Sequence, residues 1–183
     1  MRDYRANVPS LISASRVVIV LPIWYCVLHD FSGSREIAFA FIVLAVATDF
    51  LDGYLARRLH RVTELGKIID PLADKIAVAV VAVALLLRGE LEWWFVLAVL
   101  FRDVLIVLGG MYIRQKKKII VQSNWPGKFA VSFIALTLAL TILRIPPLTA
   151  LRSVALWLSL ILMAVSFGLY VQRLFIGRTE MTP

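Results

Sequence analysis

The stretch Gly66-Lys-Ile-Ile-Asp70-Pro-Leu-Ala-Asp74-Lys-Ile76-Ala-Val-Ala-Val-Val-Ala-Val-Ala-Leu-Leu-Leu87 opens with two aspartates and closes on an unbroken apolar run from Ile76 to Leu87. A membrane barrel strand alternates apolar and polar residues over segments of about ten. This run does not alternate, so it reads as a helix that satisfies its own backbone in an apolar surrounding. Working outward, six such stretches are delimited at 8–28, 37–56, 68–87, 93–113, 125–143 and 152–175, joined by short polar segments. The predicted fold is all-α, with six transmembrane helices in a compact bundle forming a single membrane domain over 1–183.

Composition agrees. Of 183 residues, 61% are hydrophobic and 17% charged, and the mean hydropathy is +0.85. Six spans of about 20 residues use roughly 120 and leave roughly 60 for loops and tails, so no separate soluble domain fits. The first apolar run lacks a small-residue cleavage signature and reads as a retained span. The lone Cys26 excludes an internal disulfide and a cysteine zinc cluster. The net charge of +8 raises nucleic acid as a partner. The basic residues flank apolar spans, however, and membrane topology with anionic lipid accounts for them, so no nucleic-acid partner is expected. Thirteen Lys and Arg fall on the side of both termini and of the 57–67 and 114–128 segments. Four, Arg35, Arg88, Arg144 and Arg152, fall on the other. The positive-inside rule then puts both termini in the cytoplasm of a multi-pass protein of the cell membrane. Trp93 and Trp94 open a span as interfacial anchors, and His29 and His60 read as loop residues without partners.

The acidic residues Asp49, Asp52, Asp70, Asp74 and Asp103 sit in or at the ends of apolar helices, where each costs about 3 kcal/mol at a helix centre and calls for a function or a strong partner. Asp49 and Asp52 are three apart, Asp70 and Asp74 four apart, so each pair shares one helix face. A short connection returns the chain to the same surface, and the pairs can face one another near the cytoplasmic interface. Four converging carboxylates need cations. Arg57, Arg58, Arg61, Lys67 and Lys75 could supply them as a salt-bridged cluster. Oxygen-only ligands without His or Cys also suit a hard divalent ion, Mg2+ or Mn2+. Gly53, Ala56, Gly66 and Ala73 let a ligand come close or pack helices together. A metal-loaded acidic centre ringed by Arg and Lys suits a phosphate or diphosphate ester.

Taken as one string, Asp49-Phe-Leu-Asp52-Gly53-Tyr-Leu-Ala56-Arg57, eight residues, then Gly66-Lys-Ile-Ile-Asp70-Pro-Leu-Ala-Asp74 resembles the signature of the CDP-alcohol phosphatidyltransferase family at every defined position. The resemblance implies a transfer from CDP-diacylglycerol to an alcohol, releasing CMP, with a two-metal Mg2+ or Mn2+ site facing the cytoplasm. By position, Asp49 and Asp70 would bridge two metals and Asp52 would bind one. Asp74 would bind the other and act as general base. Gly53, Ala56, Arg57 and Thr63 match positions that contact the CDP moiety. The opening Asn7-Val-Pro9-Ser-Leu-Ile-Ser13-Ala-Ser-Arg16, with Pro22, resembles the phosphatidylglycerophosphate synthase and cardiolipin synthase branches. Asn7, Ser13 and Arg16 are thus candidate donor contacts, although Asn7 and Ser10 also fit a helix cap.

Arg102-Asp103 and Gly127-Lys128 resemble positions where relatives using a glycerol phosphate present a basic pocket, so Arg102 and Lys128 are candidates for the acceptor phosphate. Arg102 and Asp103 could instead simply pair. Phe129-Ala130-Val131 departs from the Lys-Thr pattern of phosphatidylglycerophosphate synthases, and Arg102-Asp103-Val104 is also similar to cardiolipin synthases. The expected acceptor is a small phosphorylated alcohol, glycerol 3-phosphate. Phosphatidylglycerol, another polyol phosphate, or outside the family a small cation transporter are the alternatives. Relatives resemble homodimers, and a homodimer is expected here.

Overall fold

The computed structural model describes residues 8–58, 66–117 and 125–176. Six long helices account for nearly all of them: α1 Val8–His29, α2 Ser34–Arg58, α3 Gly66–Leu87, α4 Trp93–Lys117, α5 Trp125–Leu143 and α6 Thr149–Ile176. A 3-10 turn at Pro146–Leu148 leads into α6. Each helix begins and ends within a few residues of its expected span, and no strand occurs among the described residues. By length and composition, α5 and the segment Pro146–Gln172 can each cross a membrane.

The chain divides into two units. In the first, α1 packs along both α2 and α3. Val20, Ile23 and Val27, spaced for one helix face, are buried there with Ala38 of α2 and with Val81, Ala82, Ala84 and Leu85 of α3. The alanines matter because helices surrounded by lipid gain nothing from hydrophobic burial against each other. Small side chains let their backbones approach until dispersion holds them. Pro22 lies inside α1; it has no amide to donate to the carbonyl four residues back, a loss that neighbouring helices tolerate in apolar surroundings.

Two turns in this unit are set by backbone chemistry. After α3, Gly89 adopts φ +68, its amide donates to the Leu86 carbonyl and the Glu90 amide to that of Leu85, both at 2.9 Å. This is the paired bonding that ends helices at a left-handed residue. After α1, Asp30 takes the left-handed position at φ 45 and its amide donates to the Cys26 carbonyl. His29 is no partnerless loop residue: it is the last residue of α1, its ring stacks on Tyr25 at 4.1 Å, and its Nδ1 lies 3.1 Å from the Tyr25 carbonyl. His60 lies outside the described residues.

The second unit comprises most of α4 and α5 together with α6. Its interior is narrow. Along α6, Ala155, Ser159, Met163 and Ser166 are buried, while Val154, Trp157, Ile161 and Val165 are exposed, so large apolar side chains point away from the protein. Two buried hydroxyls bond to carbonyls of their own helices, Thr137 to Phe133 at 2.8 Å and Ser159 to Leu156 at 2.7 Å, so neither is stranded. Gly109 of α4 lies against the Tyr170 ring of α6, where a Cβ would stand only 3.0 Å from the ring carbon; here glycine is required by close approach.

Candidate functional site

The last turns of α2 carry Asp49, Asp52, Gly53, Ala56 and Arg57, and the first turns of α3 carry Gly66, Asp70 and Asp74. Both helices are continuous through these residues, so the spacings of three and four do place each aspartate pair on one helix face. At about 1.5 Å per residue, Asp49 and Asp52 stand about 22 and 27 Å along α2 from Ser34. Asp74 and Asp70 stand about 20 and 26 Å along α3 back from Leu87. Counted this way, Asp49 lies about as far from the start of α2 as Asp74 does from the end of α3, and Asp52 about as far as Asp70.

The side chains of Asp49, Asp52 and Asp70 lie outside the described ones, as do those of Ser13, Arg16, Ala56 and Arg57, while Asn7 and Thr63 lie outside the described residues altogether. The Asp74 side chain is exposed. Among the described residues no three ligating side chains gather. A set of carboxylate oxygens alone, carried on two helices, would suit Mg2+ or Mn2+ in hardness and charge.

The zero levels of that count are tied together. Arg35, in the first turn of α2, donates from both terminal nitrogens to Glu90, just past α3, at 2.8 and 2.7 Å. Its Nε donates to Asp30 at 2.8 Å, and Arg88 also donates to Asp30. Arg35 and Glu90 are both close to nine-tenths buried. Burial alone lowers the arginine pKa, but the hydrogen bonds and charges of Glu90 and Asp30 outweigh it and hold the guanidinium above its ordinary value. This network was not foreseen, although a signal existed: Asp30 and Arg35 flank Gly33, and Arg88 and Glu90 flank Gly89.

Of the acceptor candidates, Arg102 is buried. Its Nη1 donates to Asp103 at 2.7 Å and its Nη2 to the Gly127 carbonyl at 3.4 Å, while its Nε has no partner. The pairing of neighbours anticipated for Arg102 and Asp103 is present. Its stem lines a cleft of about 270 Å³ between α4 and α6, walled by Phe101, Leu105, Leu160, Met163 and Phe167. Lys128 is exposed and its Nζ sits 5.1 Å over the Trp125 ring, a cation–π contact at i, i+3. The backbone thus brings Arg102 beside the residue preceding Lys128, but the two cationic groups engage different partners.

The aspartates, Gly53 and Arg57 thus stand on two continuous helices, the last turns of α2 and the first turns of α3. A family model described as CDP-alcohol phosphatidyltransferase matches residues 6–165, and the chain belongs to that family, an enzyme class that transfers phosphatidyl groups. This finding displaces the cation-transporter reading. The chain is 33% identical over 175 residues to the CDP-diacylglycerol–glycerol-3-phosphate 3-phosphatidyltransferase of Aquifex aeolicus, covering 92% of this chain and 96% of that protein. It is 28% identical over 173 residues to a probable phosphatidylglycerophosphate synthase of Mycobacterium tuberculosis, covering 92% and 81%. A cardiolipin synthase (CMP-forming) of Streptomyces coelicolor is 30% identical over 131 residues, 70% of this chain and 61% of that protein.

Proposed function

We propose that this protein transfers the phosphatidyl group of CDP-diacylglycerol to glycerol 3-phosphate, giving phosphatidylglycerophosphate and CMP, a step of phospholipid synthesis. The observation that carries the acceptor is the likeness to the Aquifex enzyme over nearly the whole of both chains. In this reading the acceptor hydroxyl oxygen attacks the phosphorus joined to diacylglycerol. The anhydride bond to CMP breaks, and CMP leaves with its electron pair. Asp74, whose side chain is exposed on α3, takes the hydroxyl proton. Mg2+ or Mn2+ held by Asp49, Asp52, Asp70 and Asp74 would supply charge stabilisation for the transferring phosphoryl group. Asn7, Ser13, Arg16, Gly53, Ala56, Arg57 and Thr63 hold the CDP moiety, and Lys128 countercharges the acceptor's dianionic phosphate, with Arg102 acting through the Gly127 carbonyl beside it.

The helices form one membrane domain of six spans, as a homodimer in the cell membrane with both termini and the site cytoplasmic. Support comes from the charge asymmetry of the loops and from the outward large apolar side chains of α4, α5 and α6, among them Phe101, Phe129 and Trp157. The continuity of the family match across both units supports the single domain. A second reading, phosphatidylglycerol as acceptor with cardiolipin as product, is favoured by the Streptomyces relative and by Phe129-Ala130-Val131. Purified protein in nanodiscs, given CDP-diacylglycerol and each acceptor in turn while CMP release is followed, separates the two.

A further inference from the structure

We propose that Arg35 and Glu90 are positioning residues for the aspartate site at the far ends of their helices, a role that rests on the reading of the four aspartates given above. In lipid no hydrophobic force resists the sliding of one helix along another. The register of α2 against α3 must then be set by packing on α1 and by polar contacts. The strongest polar contact between the α2 and α3 ends among the described residues is the bidentate pair of Arg35 with Glu90 at 2.8 and 2.7 Å. A fork of this kind fixes direction as well as distance. Asp30 and Arg88 brace it: Asp30 accepts from both arginines, and Arg88 Nε lies 3.5 Å from Glu90. The pair ties the residue after Ser34 to the turn just past Leu87, and from these two ends Asp49 and Asp74, like Asp52 and Asp70, lie at about equal rises along their helices. A slip of one residue moves these levels by about 1.5 Å, and a misplacement near 1 Å can slow an enzyme by about a hundredfold. Geometry at the carboxylates is therefore set more than 20 Å away, at about 15 residues' rise along α2.

The test is a double-mutant cycle of Arg35→Ala, Glu90→Ala and both, with Arg35→Lys, in full-length protein in nanodiscs. CMP release gives kcat and KM, Mn2+ titration by electron paramagnetic resonance gives metal affinity without turnover, and a thermal melt confirms folding at the assay temperature. Each single alanine variant should lower kcat at least tenfold and weaken Mn2+ binding. The double variant should be no worse than the weaker single, since both act through one contact, and Arg35→Lys should recover part of kcat. Spin labels at Leu51 and Leu72, in a Cys26→Ala background, read the register itself: the distance distribution should shift or broaden in Arg35→Ala. Folded variants with lowered melting temperature but unchanged kcat, Mn2+ affinity and label distance would make the pair a structural contact only and overturn the proposal. If unmodified protein turns over without binding Mn2+, the metal reading fails on its own, and the label distances still decide register.

Discussion

The guanidinium of Arg102 on α4 lies 3.4 Å from the carbonyl oxygen of Gly127 on α5, so the residue before Lys128 is held by a buried cation whose charge is met by Asp103. This joins the two acceptor candidates through backbone instead of through a shared pocket. It predicts unequal variants. Lys128→Gln removes an exposed charge and should raise the KM for glycerol 3-phosphate severalfold, leaving stability and the KM for CDP-diacylglycerol near wild type. Arg102→Gln strips Asp103 of its partner as well and should also lower the melting temperature; steady-state kinetics with parallel melts check both.

Asp74→Asn should reduce kcat by about 10²–10⁴-fold, the range for a lost general base, with a smaller change in the affinity for CDP-diacylglycerol. Wild-type turnover in a CMP-release assay would refute the base assignment.

Chelation should abolish turnover, and Mg2+ or Mn2+ should restore it, because four carboxylates gathered at one site, as proposed, would repel one another unless cations balanced them. Asp49→Asn and Asp70→Asn should lose Mn2+ binding and activity together. Full turnover after EDTA and dialysis contradicts this.

At the opposite helix ends, Glu90→Ala should lower the melting temperature, though by less than the loss of a sole partner would, because Asp30 still accepts from Arg35 Nε. The guanidinium of Arg35 is raised above its ordinary pKa. A raised value means its contribution is fully present below the unfolded-state pKa and fades only as pH climbs through the folded one. Both lie beyond the alkaline end of any enzyme assay, so between pH 6 and 9 Arg35 itself brings no slope to stability. Melts of wild type and Glu90→Ala across about that interval check the point.

Helix existence and extent were legible because about 20 apolar residues in a row have few ways to satisfy their backbone; even α5 was delimited at Trp125 and Leu143. That the aspartates stand on helices was legible too, since α2 and α3 run through them. The Asp30, Arg35, Arg88 and Glu90 network was not, since its members lie on two loops more than 50 residues apart and sequence order does not say which loops meet. The Lys128 contact with Trp125 could have been read from its i, i+3 spacing. Burial of Arg102 was beyond reach, because it depends on which side of α4 faces Gly127.

The most direct measurement follows CMP release by purified protein given CDP-diacylglycerol with either glycerol 3-phosphate or phosphatidylglycerol. Rapid release with glycerol 3-phosphate, giving phosphatidylglycerophosphate and only background release with phosphatidylglycerol, is the predicted result. Release with phosphatidylglycerol and none with glycerol 3-phosphate contradicts the proposed acceptor and makes the protein a cardiolipin-forming enzyme.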